Sequence, residues 1–103
     1  MGVMIMLERE FQSRLIKKLK LLFPGCIVLK NDANYIQGFP DLIILYKNKW
    51  AVLECKRSEY SGRRPNQQYY VELLDSMSYA AFIFPENEAQ ILKELDNEFQ
   101  QAL

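Results

Sequence analysis

Between Leu7 and Phe23 the apolar residues Leu7, Phe11, Leu15, Leu19 and Leu22, joined by Ile16 and Phe23, recur every three or four positions. That is the stripe of one amphipathic helix. Pro24-Gly25 ends it. Cys26-Ile27-Val28-Leu29 is a short apolar, β-branched run and predicts a strand. A turn-rich connection follows, Asn31-Asp32-Ala33-Asn34 and then Gln37-Gly38-Phe39-Pro40, in which Gly38 and Pro40 punctuate the backbone. Loops of this kind often carry function. Behind Asp41, the run Leu42 to Tyr46 is apolar throughout, as expected of a strand covered on both faces. Lys47-Asn48-Lys49 predicts a turn and Trp50 to Lys56 a strand, so the pair reads as a hairpin. Ser58 to Arg64 is a polar, basic loop, and Pro65 suits the first position of a helix running to about Ser78. Tyr79 to Phe84 predicts a fourth strand, stopped by Pro85; Asn87 is placed to cap a last helix whose stripe is Ile91, Leu92, Leu95 and Phe99.

The predicted order is α-β-β-β-α-β-α. The strand-helix-strand unit from Trp50 to Phe84 predicts a right-handed crossover with parallel strands, whereas the hairpin strands are antiparallel. The expected fold class is therefore α/β in the broad sense, a four-stranded mixed sheet flanked by helices, in one domain spanning 1–103. With 103 residues, 50% of them hydrophobic, the chain can bury a single core. The opening MGVMIML lacks a basic flank and a small-residue cleavage site, and no apolar run approaches the roughly 20 residues of a membrane span. No signal and no anchor are expected. Cys26 and Cys55 are too few for a zinc site and form no disulfide framework, which points to reduced thiols and a cytoplasmic protein. Architecture alone names no function.

The chain contains no histidine, which excludes Ser-His and Cys-His nucleophiles, His-ligated metals and His-based acid–base chemistry. Any chemistry falls to Asp, Glu, Lys or Tyr. The net charge is zero, yet residues 1–71 hold 12 Lys plus Arg against 6 Asp plus Glu, and residues 72–103 hold 1 against 7. Such polarity gives a basic region suited to a polyanion, unless the charges are merely solvated and segregated by chance. Lys56, Arg57, Arg63 and Arg64, with Tyr60, Tyr69 and Tyr70 nearby, form one candidate backbone-contact patch; Lys17, Lys18, Lys20 and Lys30 form another. Phosphate contacts position a duplex without reading its sequence, and no zinc finger, basic zipper or recognition helix is present to read it.

The most informative charges stand where a strand core is expected. Alternation puts Val52, Glu54 and Lys56 on one face, and Asp41 opens an otherwise apolar strand. A two-residue loop at Lys47-Asn48 or Asn48-Lys49 would set Asp41 across from Glu54 or Lys56. Two carboxylates held this close repel, and a shared proton or a divalent cation relieves the repulsion. Oxygen-only ligands select a hard ion such as Mg2+ or Mn2+. The competing explanation is a salt bridge from Lys56 to Glu54 or Asp41 that closes the sheet edge.

Pro40-Asp41, then twelve residues, then Glu54-Cys55-Lys56 resembles the signature of the PD-(D/E)xK nucleases. With Gly38-Phe39-Pro40-Asp41 and Pro65-Asn66-Gln67, the chain is similar to the VRR-NUC branch, especially small stand-alone members from phages and bacteria. The likeness spans about Leu7 to Leu92 and implies a restriction-endonuclease-like core. Cys55 departs from the apolar, often β-branched residue usual at its position, but buried cysteine behaves as a small hydrophobe. The resemblance implies that Asp41, Glu54 and the main-chain carbonyl of Cys55 bind the divalent ion, and that Lys56 acts on the attacking water and the scissile phosphate.

The family also places a glutamate on the first helix. Glu8 shares the face of Phe11, Leu15 and Leu19, whereas Glu10 faces Arg14 and Lys17 in an exposed ion-pair arrangement, so Glu8 is the expected catalytic and metal residue. As an isolated residue, Glu8 is equally a carboxylate favourable to the helix dipole. On the next helix Gln67 shares its face with Tyr70, Val71 and Leu74, and Gln68 with Glu72 and Asp75, so Gln67 fits the family glutamine. It stands in the first turn, where free amides suit a phosphate. The implied activity is a Mg2+-dependent DNA endonuclease, structure-specific for branched or four-way-junction DNA. The alternatives are a nuclease-fold DNA-binding accessory that cuts nothing, and an interaction protein with an ion-paired hairpin. Stand-alone members often pair, and Val3, Met4, Ile5, Met6, Phe82, Phe84 and Phe99 offer apolar bulk for a twofold homodimer.

Overall fold

The computed structural model describes residues 7–32 and 34–101. These form α1 (Glu8–Leu22), β1 (Ile27–Lys30), β2 (Leu42–Tyr46), β3 (Lys49–Cys55), α2 (Pro65–Met77), β4 (Tyr79–Ile83) and α3 (Glu88–Gln100). The sheet runs β1-β2-β3-β4, antiparallel from β1 to β3 and parallel between β3 and β4. The described residues are thus α+β, with three helices and a four-stranded mixed sheet in the expected order.

Strand alternation divides the core in two. Leu42, Ile44, Ala51, Leu53 and Cys55 point to one face, where Phe11, Leu15 and Leu19 of α1 and Ile91, Leu95 and Phe99 of α3 cover them. Phe23 seals this layer, its ring 5.5 Å from Tyr46 and 5.1 Å from Phe99. Truncating it to alanine costs about 3–5 kcal/mol. On the other face Val71 and Leu74 of α2 pack over Val52, Ala80 and Phe82. The first helical position of α2 is Pro65, whose missing N–H has no intrahelical role there.

Several expectations need correction. Leu45 is exposed and Ile43 only half-buried, so β2 is covered fully on one face alone. The reason is that α2 packs on β3 and β4, leaving its side of β1 and β2 open. The first strand is shifted one residue, to Ile27–Lys30, and the strand order makes it an edge of the sheet. Leu7 and Leu22, placed on the α1 stripe, are exposed. Phe82, Phe84 and Phe99 are core residues and offer no surface for pairing, while Val3, Met4, Ile5 and Met6 lie outside the described residues. Asn87 stands before α3 without capping it: its Oδ1 accepts from the Phe84 N–H at 2.8 Å and its Nδ2 donates to the Phe82 carbonyl at 3.0 Å. Among the described residues, no helix is long and apolar enough to cross a membrane.

Candidate metal centre

The β2–β3 turn is the two-residue loop Lys47-Asn48, with Lys47 in the left-handed region at φ 56°. This fixes the register: Leu42 faces Leu53, so Asp41 comes opposite Glu54, one of the two alternatives left open by the sequence. Each carboxylate then accepts from the other strand. The Asp41 N–H donates to Glu54 Oε1 at 3.2 Å, and the Cys55 N–H donates to Asp41 Oδ2 at 3.0 Å. The Cys55 side chain turns to the opposite face, fully buried, and burial pushes its thiol up.

Glu8, at the start of α1, completes the group. Glu8, Asp41 and Glu54 each offer an oxygen, all within 4.8 Å of one another. Burial, more than mutual repulsion, shows in their acidities. Burial, then the charge of Asp41, pushes Glu54 from 4.5 up to about 8, although Lys56 and the Asp41 N–H pull the other way. Burial also raises Asp41, against the Cys55 N–H and Lys56, and burial plus Asp41 raises Glu8. Among the described residues Glu54 is the buried charged one, 4% exposed, so ionisation costs most at that position.

Lys56 lies just beyond β3, on the same side as Glu54. Its Nζ donates to Gln67 Oε1 at 2.9 Å, while Glu54 Oε2 stands at the outer limit of an ion pair, 4.0 Å away. The carboxamide of Gln67 is a hub: Oε1 also accepts the Arg64 N–H at 3.0 Å, and Nε2 donates to Glu54 Oε2 at 3.1 Å. Gln67 therefore fixes ammonium and carboxylate together, whereas Gln68 donates to Glu72 at 2.6 Å on the outer side of α2. Of the two proposed salt bridges, the Glu54 pair exists in this stretched form; among the described residues Lys56 has no ion pair with Asp41.

The basic residues divide. Arg64 lines the cavity beside Asp41 and Glu54. Arg63 stacks over the Phe82 ring at 4.1 Å, and Arg57 and Tyr60 are exposed in the β3–α2 connection. Lys30 borders an open groove with Arg9, Gln12, Ser13 and Arg14, and Lys17 is exposed on α1. Lys18, read as a DNA contact, is paired with Glu88 at 3.0 Å. Glu10 makes no ion pair among the described residues, contrary to its helical spacing from Arg14 and Lys17, and lies in the Lys30 groove away from the carboxylates.

Sequence reasoning missed the side chains that complete the cavity, Asn34, Gln37 and Asn66. Asn34 and Gln37 entered the sequence reading only as turn formers, and Asn66 only within Pro65-Asn66-Gln67, with no role of its own; three carboxamides flanking Gly38 and Gln67 were the available signal. Comparison with protein-family models, curated proteins and solved structures gave no match.

Proposed function

We propose that this chain is a Mg2+- or Mn2+-dependent DNA endonuclease with a restriction-endonuclease-like core of the PD-(D/E)xK, VRR-NUC-like kind, acting in the cytoplasm on branched duplex DNA. The observation that carries the reading is the convergence of Glu8, Asp41 and Glu54 beside an ammonium held by Gln67. The donor set fits the ion: three carboxylates, no soft ligand, and a buried Glu54 whose ionisation is opposed until positive charge arrives. A salt bridge alone would not need the third carboxylate of Glu8.

Asp41, Glu54, Glu8 and the Cys55 carbonyl would hold the cation. When bound, it lowers the pKa of water and neutralises phosphate oxygens. Lys56, whose position Gln67 fixes, orients the attacking water and meets charge developing on the scissile phosphate. Water adds to phosphorus, the opposite P–O bond breaks, and the products are a hydroxyl end and a phosphate monoester. Arg57, Arg64, Lys17 and Lys30 supply cations for the flanking backbone.

The test is incubation with labelled four-way-junction, flapped, linear and single-stranded DNA in Mg2+, then with EDTA. Expected are Mg2+-dependent cleavage favouring branched forms, and its loss in Asp41→Asn. Tight binding without cleavage at any metal concentration would make the chain a DNA-binding accessory instead. A homodimer remains part of the proposal, now supported by the open edge of β1 and its exposed Ile27, Leu29 and Leu45 neighbours. A stable mass of 12.2 kDa in light scattering at micromolar concentration would exclude it.

A further inference from the structure

A cavity of about 220 Å³ lies between the 34–39 loop, the first turn of α2 and the Asp41–Glu54 edge. It is smaller than the roughly 300–1,000 Å³ typical of small-molecule sites, the size for one planar ring rather than an extended ligand. Gly38 creates it. At φ +85° its backbone lies so close to α2 that an added Cβ would stand 2.5 Å from Asn66 Cγ. Only glycine lets the loop close this far, and closure brings Asn34, Gln37 and Asn66 to one opening.

Two features of the lining select the ligand. Among the described residues, the side chains of Asn34, Gln37 and Asn66 make no hydrogen bond to the protein, in contrast to Gln67, whose oxygen accepts twice and whose nitrogen donates once. Each free carboxamide offers a donor beside an acceptor. A phosphate oxygen uses only the donors and a cation only the acceptors, whereas the edge of a nucleobase uses both. The second feature is Phe39, an aromatic residue lining the cavity, its ring 5.6 Å from that of Tyr70, which lies 5.2 Å from that of Tyr69. Aromatic faces beside such amides stack and read bases that have left the helix.

We infer that this cavity seats an unpaired nucleobase next to the scissile phosphate, so that the enzyme selects DNA carrying an unstacked nucleotide at a branch, bulge or flap. A base inside the duplex has its pairing edge occupied and both faces stacked, and cannot enter. Arg64, at the cavity mouth, meets the phosphate of the same nucleotide. The inference rests on the nuclease reading for the scissile phosphate, but the base pocket is measurable without cleavage.

The experiment uses two labelled duplexes identical except for one unpaired nucleotide, which carries adenine in one and an abasic analogue in the other. Binding is followed by fluorescence anisotropy in Ca2+, and cleavage of the same DNAs in Mg2+ is recorded separately. The wild type is expected to bind the adenine-bearing DNA about 10-fold more tightly than the abasic one. Asn66→Ala and, independently, Gln37→Ala should bring that ratio towards one, with thermal melting showing that both variants remain folded. Equal affinity of the wild type for the two DNAs overturns the pocket, as does a ratio that survives both substitutions. Discrimination between the DNAs with no cleavage in Mg2+ upholds the pocket and sinks the nuclease reading; cleavage without discrimination does the reverse.

Discussion

Replacing Glu54 with glutamine should stabilise the metal-free protein at about pH 8 while abolishing its response to Mg2+. Glu54 is 4% exposed, and burial together with Asp41 raises its carboxyl from 4.5 to about 8. The folded protein thus holds this proton more tightly than the unfolded chain. Its stabilising contribution is present below 4.5 and is lost as pH rises through about 8. At about 1.4 kcal/mol per pKa unit, the interval corresponds to roughly 4–5 kcal/mol, a large part of the 5–15 kcal/mol stability of an ordinary domain. Glutamine stays neutral and still accepts from the Asp41 N–H, but it loses the acceptor facing Gln67 Nε2, at a cost of about 1–2 kcal/mol. The balance favours the variant by about 3 kcal/mol at high pH, or roughly 10–20 °C in Tm for a domain of this size. Melting curves in EDTA across this pH range should show the wild-type Tm falling relative to that of Glu54→Gln. Added Mg2+ should restore the wild type alone. A difference between the two proteins that does not change with pH, or a variant less stable at about pH 8, would show that Glu54 is not a strained, proton-holding carboxyl.

Lys56→Ala should leave divalent-ion binding in place and lower turnover by about 100- to 1,000-fold, measured under single-turnover conditions, because in the proposed mechanism the ammonium, held by Gln67, acts on water and phosphate rather than on the cation. Glu8→Gln should depress cleavage with little change in Tm, whereas Glu10→Gln, whose carboxylate lies in the separate Lys30 groove, should be nearly silent in both assays. Gly38→Ala should lower stability by about 1–2 kcal/mol in denaturant titration, from backbone strain at φ +85° and displacement of Asn66.

The hairpin was legible because its short turn admitted only two registers, both placing Asp41 on the face of Glu54 and Lys56 and one placing it directly across from Glu54. Helix phase was enough to separate Glu8 from Glu10 and Gln67 from Gln68, since each pair differs by one or two positions on a 3.6-residue period. What depended on tertiary placement was not legible. Nothing local to β2 says that α2 will pack over β3 and β4 and leave Leu45 in solvent. Phe82, Phe84 and Phe99 have the same composition whether they cover a neighbour or fill a core. Lys18 meets a partner 70 positions away, and the three carboxamides converge only because Gly38 lets two segments nearly touch.

Whether Glu8, Asp41 and Glu54 form a divalent-metal site is decided by calorimetric titration of Mn2+ into the wild type and Asp41→Asn at neutral pH, in two buffers of different ionisation heat. The expected result is saturable binding to the wild type with proton release, since the carboxyl of Glu54 is raised to about 8 and must ionise to take the ion, and no saturable binding to Asp41→Asn. Superimposable isotherms for the two proteins, or a wild type with no saturable heat at millimolar Mn2+, would contradict it.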